Sequence, residues 1–358
     1  MVSTQRDRSC RPVPGSVKRM LSSVAAVVAI GLIAAVGAGA KSSDSRLTGA
    51  GSTFVSPLVS LWAADYASKT GTQIAYSPVG SGAGIAAITA GQVDFGASDA
   101  PLSPDQFAAC KGCVQIPWAL SATAIIYNLS GVPNNLHITG AVLSRMFLGQ
   151  ITKWDDPAIK ALNPKVTLPS TSITPVYRSD NSGTTYNFTD YLSAVSPAWK
   201  SKIGVGVNAN WPTGQGGRGS AGVSGVVSNT QGAIGYVDVA FAIKNRLKFM
   251  SIRNSSGRYT TPGLRGIIAA AATVKKVPAT NEIHIVNPPK ADPLAYPICT
   301  FTYVILPTKS DKAADLRKFI FYAVNPSQGQ KLGPKLLFAP LPKVVLVASE
   351  KTLKRISV

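Results

Sequence analysis

Acidic residues are scarce: Asp and Glu number 16 against 36 Lys and Arg in 358 residues, which gives a net charge of +20. The excess therefore reflects missing carboxylates more than added cations. The basic residues are scattered, and no aromatic-basic alternation marks a strand-binding groove, so the charge does not indicate nucleic acid. It is compatible with attraction of anions, or with an acidic extracytoplasmic medium. Histidine is scarcer still, with only His137 and His284. Neither sits in a motif, so a hydrolytic triad has no evident base and a zinc site has few ligands. The phosphate-cradling G-x-x-x-x-G-K-[ST] pattern is missing, which excludes the usual nucleotide hydrolases. Beyond residue 40 no apolar run is long enough to span a bilayer. There is no internal repeat of fixed period.

Four cysteines are present. Cys10 lies in a segment that reads as an export signal: Lys18 and Arg19 precede the uncharged run Leu21 to Ala40, which ends in Ala38-Gly39-Ala40. That ending fits the small-x-small cleavage rule. The run is also about long enough for an uncleaved anchor. No cysteine follows the cleavage site, so a lipid-modified terminus is not indicated. Cys110-Lys111-Gly112-Cys113 is a C-x-x-C pair without a second pair, and in an exported chain it reads as a short structural disulfide. Cys299 reads as a buried strand residue. Residues 1–40 carry five basic and one acidic side chain, so their loss lowers the charge from +20 to +16.

The remainder alternates strand-like and helix-like segments, which points to an α/β fold. Helices are expected over 53–66, 84–90 and 313–323, and strands over 73–76, 93–97, 114–116, 123–127, 234–237 and 302–306. Asn210 to Gly225 reads as a Gly-rich surface loop, and Pro278 to Pro297 as a Pro-rich one.

Four polar clusters fall where strands give way to helices: Gly49-Ala50-Gly51-Ser52-Thr53-Phe54, Gly80-Ser81-Gly82-Ala83-Gly84, Gly96-Ala97-Ser98-Asp99-Ala100-Pro101 and Arg178-Ser179-Asp180-Asn181-Ser182-Gly183-Thr184-Thr185. The first turn of a helix has unpaired N–H groups and partial positive charge, which suits an anion, and an arginine adds a fork of donors. Capping by Asp180 or Ser182 is the commoner use of such residues. Four such clusters in one exported chain favour an anion site.

The stretches L-T-G-A-G-S-T-F (47–54), V-D-F-G-A-S-D-A-P-L-S (93–103), I-T-K-W-D-D-P-A-I-K-A-L-N-P (151–164), R-S-D-N-S-G-T-T (178–185) and G-A-I-G-Y-V (232–237) resemble the phosphate-binding proteins of bacterial high-affinity phosphate ABC importers. The resemblance runs from about Leu47 to about Pro342. It implies a two-lobed periplasmic-binding-protein fold of type II with a hinge. The lobes would be 41–122 with 298–358, and 123–297, with crossings near Ser121–Thr123 and Pro297–Thr300. It also implies phosphate contacts from the Thr53 hydroxyl, the Phe54 N–H, Ser81, Asp99 as proton acceptor, Arg178, and Ser182, Gly183 and Thr184 at a helix start. Asp180 would orient Arg178. An extracytoplasmic monomer that serves an ABC permease is expected, with no cofactor, metal, nucleic acid or enzymatic activity. The rival readings are another oxyanion, such as sulfate or molybdate, a secreted phosphate-ester hydrolase, and a basic nucleic-acid-binding or surface-adhesion module. Gly96-Ala97-Ser98-Asp99-Ala100 is only faintly like a nucleophile elbow, because it ends in Ala.

Overall fold

The computed structural model describes residues 45–358, so the expected export segment 1–40 lies outside the described residues. Strand and helix alternate from the start: β1 (Arg46–Gly51), α1 (Ser56–Thr70), β2 (Gln73–Ser77), α2 (Ser81–Thr89), β3 (Phe95–Ser98), α3 (Pro104–Ala109) and β4 (Cys113–Tyr127). Next come β5 (His137–Ile138), α4 (Gly140–Phe147), α5 (Pro157–Lys160), β6 (Thr174–Arg178), α6 (Gly183–Val195), α7 (Pro197–Lys202), β7 (Gln215–Gly217) and α8 (Gly219–Asn229). They are followed by β8 (Ala233–Asp238), α9 (Val239–Lys244), β9 (Lys248–Phe249), β10 (Ser251–Arg253), β11 (Tyr259–Thr260) and α10 (Leu264–Ala271). The Pro-rich stretch 278–297 holds neither helix nor strand, as expected, and β12 (Cys299–Pro307), α11 (Ala313–Val324) and α12 (Lys343–Leu353) complete the chain.

The main sheet runs β2-β1-β3-β12-β4-β8-β6-β7. β1 is parallel to β2 and β3, β12 is antiparallel to β3 and β4, and β6 is parallel to β8 and β7. β4 joins the two parts. Its residues up to Ala122 pair with β12, and those from Thr123 pair with β8. At the changeover the Ile298 carbonyl, just before β12, accepts the Thr123 N–H.

Two sequence expectations need correction. The segments 114–116 and 123–127 are not separate strands but the two ends of β4, which is buried along its whole length. Pro117 breaks the pattern in the sequence because it donates no ladder hydrogen bond, and the register with β12 slips beside it, between Thr302 and Tyr303. The polar Ser121 is satisfied by donating to the Leu337 carbonyl at 3.0 Å. Second, 210–225 is not only a surface loop, because it contains β7 and the start of α8. Its glycines serve close packing. A side chain at Gly217 would come within 2.6 Å of the Val223 nitrogen, so glycine lets α8 fold back on β7. Val223 and Val227 of α8 then join a small core with Ala124, Ile126, Val176 and Val237.

The larger core contains two groups of packed aromatic rings, one of Trp62, Trp118, Phe95 and Phe319 and one of Phe147, Phe188, Trp199 and Tyr236. Burial of each such side chain stabilises the fold by about 1.5–3 kcal/mol.

Cys110 and Cys113 are joined as a disulfide, with Cα atoms 5.5 Å apart, while Cys299 is free and buried. Thiol titration of the unreduced chain from Lys41 onward, under denaturing conditions, is expected to find one reactive cysteine. Three reactive thiols would rule the pairing out.

Candidate functional site

Strand C-termini face helix N-termini at one place in the sheet, the usual location of ligands in open α/β folds. β1 leads into α1 through Ser52 and Thr53, and β2 into α2 through Gly80. β3 ends just before Asp99, β6 into α6 at Arg178–Ser182, and β7 into α8 at Arg218. The turn after β3 is held by a reciprocal cap at α3: Ser103 Oγ accepts the Gln106 N–H at 3.2 Å, and Gln106 Oε1 accepts the Ser103 N–H at 2.9 Å.

Asp99 is 2% exposed. Ser52 Oγ donates to its Oδ1 at 2.5 Å, and its backbone N–H donates to Ser81 Oγ at 3.3 Å. Burial pushes its carboxyl up to about 7, against the opposing pull of Ser52, the Arg178 charge and Ser81. Asp99 therefore exchanges a proton near neutrality.

Arg178 is also 2% exposed and contributes the guanidinium. Nε donates to Asp180 Oδ1 at 2.7 Å, Nη2 to Asp180 Oδ2 at 2.5 Å, and Nη1 to Thr184 Oγ1 at 3.4 Å. A guanidinium has five N–H donors, so two remain, one on each terminal nitrogen, and they form a fork. Asp180 thus orients the arginine and does not cap the helix. Burial pushes the pKa of the Asp180 carboxyl up, but the Arg178 bond and charge and the Gly219 N–H outweigh it and hold the carboxyl below its ordinary value. The cap belongs to Ser182, whose Oγ accepts the Thr185 N–H at 3.1 Å. Gly183 and Thr184 occupy the first turn of α6, where N–H groups have no carbonyl behind them.

The two sides interlock. The Gly82 N–H donates to the Asn181 carbonyl at 2.9 Å, and Thr53 Oγ1 lies 3.0 Å from Ser220 Oγ while accepting the Ser220 N–H at 3.2 Å. Gly183 packs directly on Asp99 and Ser81; a side-chain carbon there would lie 2.7 Å from the Asp99 Cβ and 2.6 Å from Ser81 Oγ. Gly183→Ala is therefore expected to force α6 away from Asp99 and weaken ligand binding by roughly 1–3 kcal/mol. Gly225, in the same sheet half but with nothing nearby, serves as the control, and Gly225→Ala should leave the titration unchanged. Equal effects in calorimetry would refute the close-packing account.

The structure thus brings Thr53, Ser81, Asp99, Arg178, Ser182, Gly183 and Thr184 into one buried cluster, with Asp180 behind Arg178. Phe54 differs. Its N–H donates to Ser52 Oγ at 3.0 Å, and its ring is buried against Phe338. Sequence reasoning missed Ser52, which binds Asp99, and Ser220, which binds Thr53. Ser52 stood inside a quoted cluster, and Ser220 was hidden in the stretch read as a loop. His137 lies apart, stacked on Tyr259 at 3.9 Å. Ser98 Oγ donates to the Ala100 carbonyl at 2.6 Å, so the elbow-like stretch presents no free nucleophile.

The PBP superfamily domain matches residues 36–327. A phosphate-binding protein PstS from Xylella fastidiosa is 38% identical over 299 residues, 83% of this chain and 82% of that protein. The PstS of Pasteurella multocida is 37% identical over 302 residues, covering 84% of this chain and 87% of its own. The chain belongs to the PstS phosphate-binding protein family.

Solved structures agree on the fold. A high-affinity periplasmic phosphate-binding protein (PfluDING) bound with phosphate superposes with a TM-score of 0.70 at 21% identity, over 86% of this chain and 93% of that one. The phosphate-binding protein from Stenotrophomonas maltophilia gives 0.65 at 18% identity, over 86% and 93%. The family fold is the two-lobed periplasmic-binding-protein fold, in line with the expected class.

Proposed function

We propose that this chain binds one inorganic phosphate in a cleft between two lobes outside the cytoplasm and delivers it to the permease of an ABC importer. The lobes are 41–122 with 298–358, and 123–297, and the chain crosses between them near Ala122–Thr123 and Ile298–Cys299. The observation that carries the reading is the juxtaposition of a guanidinium with two uncommitted donors and a buried carboxyl that titrates near 7. The first fits a tetrahedral oxyanion, and the second accepts the proton that distinguishes phosphate. The contacts to phosphate are assigned to Thr53, Ser81, Asp99, Arg178, Ser182, Gly183 and Thr184. The Phe54 N–H joins them once it is released from Ser52. Residues 1–40 direct export, and the working state is a monomer without cofactor.

The relatives named as phosphate-binding proteins support a binding role over an enzymatic one. Calorimetry of the chain from Lys41 onward should detect phosphate at a single site, and hinge closure should shrink its X-ray scattering radius. Absence of heat at millimolar phosphate would end this reading.

A further inference from the structure

The stretch Gly232-Ala233-Ile234-Gly235-Tyr236-Val237 has no residue in the cluster, yet its tyrosine is bonded to the turn that carries Arg178. Tyr236 lies in β8 and is fully buried, with its ring stacked on Phe188 of α6 at 4.4 Å and 18°. That packing needs only a ring, and a phenylalanine would supply it. A hydroxyl in such a place is costly unless it is hydrogen-bonded, so its partners indicate what it is for.

Both partners belong to the stretch from Arg178 to Thr185. The β6–β8 ladder ends at the Val176–Gly235 pair, and two residues further on the Arg178 N–H donates to the Tyr236 hydroxyl at 3.1 Å. The Thr185 Oγ1, itself fully buried, lies 2.7 Å from the same oxygen. One oxygen thus fastens the last residue of β6 to the first turn of α6, whichever of the two hydroxyls donates. Between these two ends lie Asp180, Ser182, Gly183 and Thr184. The Ser182 cap on the Thr185 N–H and the Asp180 bonds to the guanidinium hold parts of the turn to one another. Tyr236 holds the turn from a neighbouring strand, and it sets how far the base of the arginine stands from the helix start.

We propose that Tyr236 is a positioning residue of the phosphate site: its hydroxyl clasps Arg178 and Thr185, so that the guanidinium fork and the N–H groups at the start of α6 converge on one oxyanion. The inference rests on the phosphate reading and adds to it a residue that does not touch phosphate.

The test is a set of phosphate titrations by calorimetry, well below the melting temperature of each variant. Tyr236→Phe keeps the ring and strips the Arg178 N–H and the Thr185 hydroxyl of their partner, so it should weaken binding about tenfold. Tyr127→Phe is the control. Tyr127 is also buried, and its hydroxyl donates to the Pro133 carbonyl at 2.5 Å and accepts the Leu136 N–H at 3.5 Å, neither of them in the cluster. Its loss should lower the melting temperature comparably and leave phosphate affinity within about twofold of wild type. A merely structural hydroxyl would lower the melting temperature in both variants and the affinity in neither. Thr185→Val removes one arm of the clasp and should weaken binding about threefold, with nothing further lost when it is added to Tyr236→Phe. Wild-type affinity in Tyr236→Phe, an equal loss in Tyr127→Phe, or full additivity of Thr185→Val with Tyr236→Phe would each overturn the proposal. If Tyr236→Phe does not fold, Thr185→Val decides, and wild-type affinity there overturns it. If the wild type binds no phosphate, the functional reading fails and takes this inference with it. If the wild type binds and Tyr236→Phe matches it, only this inference falls.

Discussion

Arg178→Ala is expected to lower phosphate affinity by about 3–5 kcal/mol, roughly two to four decades in dissociation constant. Two effects add. The anion loses the fork formed by the two donors that Asp180 and Thr184 leave free, and charge-assisted bonds in a dry site are the strong ones. The loss also strands Asp180, whose side chain is 14% exposed, next to an incoming anion. The size of the effect follows from a simple balance. Arg178 is neutralised by Asp180, so the cluster offers no surplus of positive charge, and placed donors must do the binding. Thr184→Ala removes a single hydroxyl and should cost only about 1–2 kcal/mol. Calorimetry on both variants, with melting temperatures as a folding control, checks the hierarchy. Equal losses would show that the fork is not the main contact.

Asp99 is expected to control selectivity, and the control should depend on pH. Sulfate and hydrogen phosphate share shape and charge near neutrality, but only phosphate brings a proton. An ionised Asp99 accepts that proton from phosphate and meets sulfate lone pair to lone pair, a mismatch of several kcal/mol in a buried site. Burial has moved the Asp99 carboxyl from its ordinary value of 3.8 up to about 7. The sign follows directly: well above 7 the group is ionised and rejects sulfate, and well below 7 it carries its own proton and can donate to sulfate. Competition titrations at about pH 8.5 should show little displacement of phosphate by sulfate, while at about pH 5.5 sulfate should compete roughly thirtyfold better, the ratio of the protonated fractions of Asp99 at the two pH values. Asp99→Asn holds a donor in the same place at any pH, so it should bind sulfate at both pH values and retain part of its phosphate affinity. Arsenate, which is protonated like phosphate, should compete throughout. Displacement of phosphate by sulfate at comparable concentration at pH 8.5 would remove both the role of Asp99 and the choice of ligand.

Much of this site was legible because its chemistry is local. Glycine followed by hydroxyl residues at a strand end reports a helix start, and Arg178, Asp180 and Ser182 lie within five residues of one another. What stayed hidden depends on approach through space. Ser220 reaches Thr53 from a helix that its own glycines disguised as a loop. Asp238 looks like an ordinary helix cap, and only the fold shows its second oxygen buried without a partner. The Phe54 N–H was assigned to the ligand from its motif, but Ser52 competes for it through a side chain two residues away. β4 was divided because a proline and small polar residues interrupt its pattern, and sequence cannot show that a bulge and a partner carbonyl absorb both.

The position of β12 bears on how the molecule comes into being. Its Ala97–Val304 and Ile116–Val304 pairings place residues 299–307 between β3 and β4, both of which are synthesised long before. A chain growing from its N-terminus therefore carries a gap in the middle of its first sheet half, with two apolar strand edges unpaired, until residues 299–307 appear. That half cannot close as it is made. Pairing of β3 with β4 through the sheet must wait until residues 299–307 are made, and a chain that stops before residue 299 lacks the strand that joins them.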